Sequence, residues 1–284
     1  MTPYLGEARA AKAEGAVAQP PHAEFLGLPF CLLSRQDVVR LIIEGCSAPF
    51  RYVVTPNAHH VVAVHDDPAR LLPIYRAAWL SLCDSRVLRA LARLDHRALP
   101  LVTGSDLVAT LLSTLNRCDR VGPLRRLAVI GPSSGAATAL RTAYPNLMLE
   151  VMTAPEGLAR SAELRLAVAR ACAKRPWDIL LLCVGCPAQE LIARQIAELG
   201  RRSGIALCVG ASIDFLTGAR ARAPRWVQYL GLEWAYRLLQ EPSRLWRRYL
   251  VESPKVLRIF LTMRSLRRTR SASERGFGAN SRSW

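Results

Sequence analysis

Short apolar runs alternate with amphipathic stretches from residue 25 onwards. Short runs bounded by turn residues read as buried strands, and stretches whose apolar positions return every three or four residues read as helices. Strands are expected at residues 25–30, 52–55, 79–83, 127–130, 147–152, 179–184 and 205–209. Helix signals fall between them. Ser34 suits the cap of a helix through Cys46, and Ser105 suits the cap of a helix over residues 106–116 with Asp106 in its first turn. Pro187 suits the first position of a helix through Leu199, which Gly200 ends. Strand and helix in regular succession predict an α/β fold: a Rossmann-like, mainly parallel sheet flanked by helices.

From residue 211 the strands vanish and the pattern becomes helical, basic and rich in tryptophan. Leu232, Ala235, Leu238, Leu239, Leu245, Trp246, Tyr249 and Leu250 recur near helical spacing, with Arg237, Arg244, Arg247 and Arg248 on another face. Pro242 should split this run into two helices. Beyond Pro254, Val256, Ile259, Phe260, Met263 and Leu266 oppose Lys255, Arg258, Arg264, Arg267 and Arg268. Such a basic amphipathic helix suits attachment to a membrane surface, its apolar side in the interface and its arginines at anionic headgroups. The expected organisation is a flexible tail over 1–24, an α/β domain over 25–218, a basic helical C-terminal appendage over 219–270 and a disordered tail over 271–284.

Charge sharpens this division. The net charge is +17, and from Arg220 onwards fourteen arginines and one lysine face four glutamates. Such an excess points to a polyanionic partner or an anionic surface. A nucleic-acid-binding protein on an α/β scaffold is the non-enzyme alternative, although no reader motif accompanies the charge. The first 25 residues hold no apolar signal-peptide core and no run of 18 apolar residues occurs, so a cytoplasmic protein without a transmembrane span is expected. Eight cysteines then read as reduced thiols, and Cys183 and Cys186 form a C-x-x-C with no second pair. The five histidines show no metal-ligand spacing, so neither a metal nor a cofactor is expected.

Several strand ends carry residues suited to chemistry. Thr55 and Asn57 follow one run, where they either cap the next helix or line a ligand site at the carboxyl edge of the sheet. Asp84 follows another, as a cap or as a general base for an acceptor hydroxyl. Asp106, in Thr103-Gly104-Ser105-Asp106, is more readily a first-turn acid of a helix. The Gly131-Pro132-Ser133-Ser134-Gly135 turn is like a phosphate cradle, yet is neither G-x-G-x-x-G nor a P-loop. In Val184-Gly185-Cys186-Pro187-Ala188-Gln189-Glu190 helix-start chemistry explains Glu190 but not Gln189.

Taken in order, these motifs resemble the WecG/TagA/CpsF bacterial glycosyltransferases, glycosyltransferase family 26. The matching pieces are TPNAHHV (55–61), Asp84, VTGSDL (102–107), the Gly131 turn, VGCPAQE (184–190), VGASIDFLTG (209–218) and the long block at 222–250. The resemblance implies an inverting, metal-independent transfer from a UDP-sugar to a polyprenyl-diphosphate-linked sugar at the inner face of the cytoplasmic membrane, in exopolysaccharide or other cell-surface polysaccharide biosynthesis. It implies Asp84 as catalytic base, with Thr55, Asn57, Arg86, Gly104, Ser105 and Asp106 binding substrate. Gly131, Gly185, Pro187, Gln189, Glu190 and Gly210 would bind the donor nucleotide, and Arg237, Arg244 and Arg247 its diphosphate. Where the family carries an arginine before VTGSDL this chain has Leu101, and Arg86 is expected to supply that cation. A membrane-docked monomer and a homo-oligomer both fit.

Overall fold

The computed structural model describes residues 20–117, 126–221, 223–224, 227, 232–252 and 254–279. The chain opens with β1 (His22–Phe25), β2 (Leu28–Cys31) and α1 (Arg35–Gly45). It continues through β3 (Arg51–Val54), α2 (Ala58–Asp66), α3 (Pro68–Ala77), β4 (Leu80–Ser81), α4 (Arg86–Leu94) and α5 (Gly104–Arg117). Then come β5 (Arg126–Ile130), α6 (Ser134–Ala143), β6 (Met148–Met152), α7 (Ala162–Lys174), β7 (Ile179–Leu182), α8 (Ala188–Glu198), β8 (Ile205–Cys208) and α9 (Ser212–Leu216).

Strands β3 to β8 form one six-stranded sheet in the order β4-β3-β8-β7-β5-β6, with every pair parallel. Side-chain alternation decides the layers. Tyr52, Val54, Ala128, Ile130, Leu180, Leu182, Ala206 and Cys208 join one core, while Val53, Leu127, Val129, Ile179, Leu181, Ile205 and Leu207 join the other. Because helices cover both faces, the central strands β7 and β8 are apolar throughout rather than alternating with polar residues. Val61, Leu71, Leu88 and Ile192, from α2, α3, α4 and α8, cover the first face. Val38, Leu107, Leu140 and Ile213, from α1, α5, α6 and α9, cover the second.

Several local expectations change. Residues 25–30 are not one strand but the second half of an antiparallel hairpin, β1–β2, which turns at Leu26 and Gly27, both with positive φ. The first strand of the hairpin therefore starts at His22. The strand expected at 79–83 is only Leu80–Ser81, with Cys83 making an isolated parallel bridge to Leu101. Ser34 caps α1 as expected, accepting from the Asp37 N–H. By contrast, α5 starts at Gly104, and the Thr103 hydroxyl rather than Ser105 accepts from the Asp106 N–H, at 3.1 Å.

The appendage contains α10 (Glu233–Gln240), α11 (Pro242–Trp246), a π-helical turn (Arg247–Glu252) and α12 (Lys255–Ala279). Pro242 starts α11, as a residue without an N–H readily does. The apolar stripe of α12 is not free for lipid. Val256 and Phe260 are buried in the first core, and the Phe260 ring lies 6.3 Å from that of Phe25. What α12 turns outward is Leu257 and Leu261, together with Leu266 from the far end of that stripe. The helix also runs on to Ala279, through most of the segment whose Ser/Gly-rich composition suggests disorder. Among the described residues no helix is long and apolar enough to cross a membrane.

Candidate active site

A cleft of about 440 Å³ opens along the carboxyl edge of the sheet. Residues following all six strands line it: Thr55 and Asn57 after β3, Asp84 after β4, Gly131 after β5, Ala154 after β6, Gly185 after β7 and Gly210 after β8. The sheet order explains the location. The chain fills one edge with β3 and β4 and the other with β5 and β6, then inserts β7 and β8 between them. Loops leaving the strands diverge around such a reversal, and the crevice between them receives ligand.

Local geometry separates capping from site roles. The Ser85 hydroxyl caps α4 by accepting from the Leu88 N–H at 3.2 Å, so the Asp84 carboxylate is not the cap. The Asp84 N–H donates to the Pro56 carbonyl at 3.0 Å, which ties its loop to the TPN loop. Asn57 does both jobs: its side chain accepts from the His59 N–H at 3.0 Å to cap α2, and it lines the cleft. The Thr55 hydroxyl donates to the Cys208 carbonyl at 2.8 Å and stitches the ends of β3 and β8. At Gly131, φ is +95° and an added Cβ would stand 2.5 Å from Val184 Cγ1, so only glycine fits where the β5 turn meets β7.

The cleft gathers Thr55, Asn57, Asp84, Ser105, Gly131, Gly185, Gln189 and Gly210 from the expected site residues. Others lie elsewhere. Arg86, exposed in the first turn of α4, is not part of the cleft wall, and Leu101 faces a separate groove beside Arg89 and Arg93. Gly104 is buried behind the cleft, where an added Cβ would stand 3.0 Å from Ser212 Oγ and 3.2 Å from the Val209 carbonyl oxygen. Asp106 points towards Arg35 at 3.9 Å. Pro187 does not line the cleft and has no N–H, and the Gln189 N–H goes to the Gly185 carbonyl at 3.1 Å, so the start of α8 offers few amides to a phosphate. The side chains of Arg237 and Arg244 lie outside the described residues, and Arg247 is exposed in the π-helical turn.

Glu190 is a larger departure. Its carboxylate is fully buried and takes no part in the cleft wall. Oε1 accepts from Gln189 Nε2 at 2.8 Å and lies 3.4 Å from His60 Nε2. Gln189 Oε1 in turn accepts from the Gly210 N–H at 2.9 Å, and His60 Nδ1 accepts from the Asn57 N–H at 3.3 Å. One buried group thereby braces the loops after β3, β7 and β8. Sequence spacing did not find His60, because its partner arrives from a distant α8.

His60, Cys186 and Glu190 bring one ligand atom each to within 4.8 Å of one another, a grouping that histidine spacing does not suggest. With Nδ1 accepting from the Asn57 N–H, a ring proton belongs on Nε2, which lies 3.4 Å from Glu190 Oε1. A cation at Nε2 would have to displace that proton, while His60 Nε2 and Glu190 Oε2 are both buried without a hydrogen bond. Burial pushes the Cys83 thiol up to about 12, which leaves it protonated and unreactive.

The family model for the glycosyl transferase WecG/TagA/CpsF family matches residues 23–271. The chain belongs to this family. It is a glycosyltransferase with a sugar donor and an acceptor as its partners, and the matched span takes in both the α/β body and the appendage up to the middle of α12. The nucleic-acid alternative gains no support.

Proposed function

We propose that the chain transfers a sugar from a UDP-sugar to a polyprenyl-diphosphate-linked sugar, with inversion and without a required metal, in cell-surface polysaccharide biosynthesis. The observation that carries this reading is Asp84. Its carboxylate is released from capping by Ser85 and shares one cleft with the glycine turns after β5, β7 and β8. A single displacement needs such a base. As the acceptor oxygen attacks the anomeric carbon, its proton passes to Asp84, the new C–O bond forms, and the old bond to phosphate breaks with its electron pair leaving on UDP. Thr55, Asn57 and Ser105 belong to the acceptor and sugar side, and Gly131, Gly185, Gln189 and Gly210 to the nucleotide side. Arg237, Arg244 and Arg247 are assigned to the charge that grows on the departing diphosphate. Proton NMR of the lipid-linked product tests the stereochemistry: an α-linked donor should give a β-linked product, and retention would rule out direct displacement.

A lipid-linked acceptor calls for contact with the inner face of the cytoplasmic membrane. Leu257, Leu261 and Leu266 on α12 and Leu239 on α10 are exposed and suit insertion at the headgroup boundary. Deleting the appendage is a poor test, since it would uncover Phe25 and the core beneath α12. Replacing Leu257 and Leu261 together with Ser is expected to weaken flotation with anionic vesicles by about tenfold or more, from the apolar burial lost. Unchanged flotation of the folded variant would remove α12 from the membrane contact.

A further inference from the structure

We infer that Arg220 is the seat for the donor's diphosphate and that Glu241 occupies the position that the phosphate takes; this rests on the nucleotide-sugar reading of the cleft. Three carboxylates line that cleft, those of Asp84, Asp214 and Glu241, and Arg220 is the one arginine or lysine lining it among the described residues. A diphosphate entering this field needs a cation, and a guanidinium presents several N–H donors in a planar fork suited to phosphate oxygens.

The geometry divides the guanidinium between two tasks. Arg220 Nε lies 3.5 Å from Asp214 Oδ2, and Nη1 lies 3.5 Å from Glu241 Oε1. Asp214 is the fixed partner. Its side chain is only 13% exposed, its Oδ1 accepts from the Ser133 N–H at 3.3 Å, and its carbonyl accepts from the Arg220 N–H at 2.9 Å. Glu241 is the exchangeable one. It stands between α10 and α11 and its side chain is 36% exposed, against 13% for Asp214 at the same 3.5 Å from the guanidinium. A phosphate oxygen can therefore replace the Glu241 carboxylate on Nη1 while Asp214 keeps the guanidinium aimed. The same exchange frees Glu241 from Arg220, which Asp214 holds on the α/β body, so donor binding and the position of α10 and α11 are coupled.

Calorimetric titration of the full chain with UDP, uridine and inorganic pyrophosphate tests the assignment. In Arg220→Ala, affinity for UDP and pyrophosphate should fall by about tenfold or more, with uridine binding unchanged. In Glu241→Gln, which removes the competing charge, both should bind about threefold to tenfold tighter. Opposite shifts of this kind do not arise from a variant that merely folds badly. Wild-type affinity for UDP in Arg220→Ala, or weaker binding in Glu241→Gln, overturns the proposal. If the wild type binds pyrophosphate but not UDP, the uridine donor is wrong and the Arg220 seat is judged on pyrophosphate alone. Binding of neither overturns both.

Discussion

Replacing Asp84 with Asn is expected to lower acceptor-dependent transfer by about 10²–10⁴-fold while leaving UDP affinity within about twofold of wild type. That range is what a positioned general base contributes. The substitution keeps the size of the side chain, and two contacts that shape the loop are made without the carboxylate: the Asp84 N–H bonds the Pro56 carbonyl and Ser85 caps α4. A fall in turnover with intact UDP binding would separate chemistry from donor recognition. Undiminished turnover would exclude Asp84 as the base, and a matching loss of UDP affinity would make it a donor contact instead.

Glu190→Ala should destabilise the fold by about 2–4 kcal/mol, because it leaves Gln189 Nε2 without its buried acceptor and opens a cavity beside His60. Glu190→Gln retains an acceptor oxygen and should stay within about 1 kcal/mol of wild type. Urea denaturation measures both, with an unchanged slope expected if only stability has altered. Because Gln189 holds the Gly210 N–H, the Ala variant should also loosen the loop after β8, which hydrogen exchange at Gly210 would report. Unaltered stability together with weaker UDP binding would mean that the carboxylate reaches the nucleotide after all.

Much of the sheet was legible because its strands are buried on both faces, which leaves continuous apolar runs such as Ile179–Leu182 bounded by turn residues. The hairpin was not, because residues 25–30 are apolar across the turn and Leu26 takes a positive φ that its side chain does not advertise. Residues at strand ends were legible as a group for the same reason as the sheet: once the strands are parallel, Thr55, Asp84, Gly131, Gly185 and Gly210 share one edge. Individual roles within that edge depend on contacts between distant segments. Glu190 has the spacing of a first-turn helix acid but is a buried brace, since His60 comes to it from α2. Arg220 looked like one more member of a basic tail until Asp214 and Glu241 fixed it in the cleft. The stripe on α12 could serve lipid or protein equally, as amphipathic spacing records an apolar face without naming what covers it.

The most direct measurement is UDP release by the full chain across a panel of UDP-sugars, with and without a detergent-solubilised polyprenyl-diphosphate-linked sugar. At least one donor should release UDP only when the acceptor is present, and the label of that sugar should move to the lipid. Release from no donor in the presence of acceptor would contradict a UDP-sugar transferase acting on lipid-linked sugars.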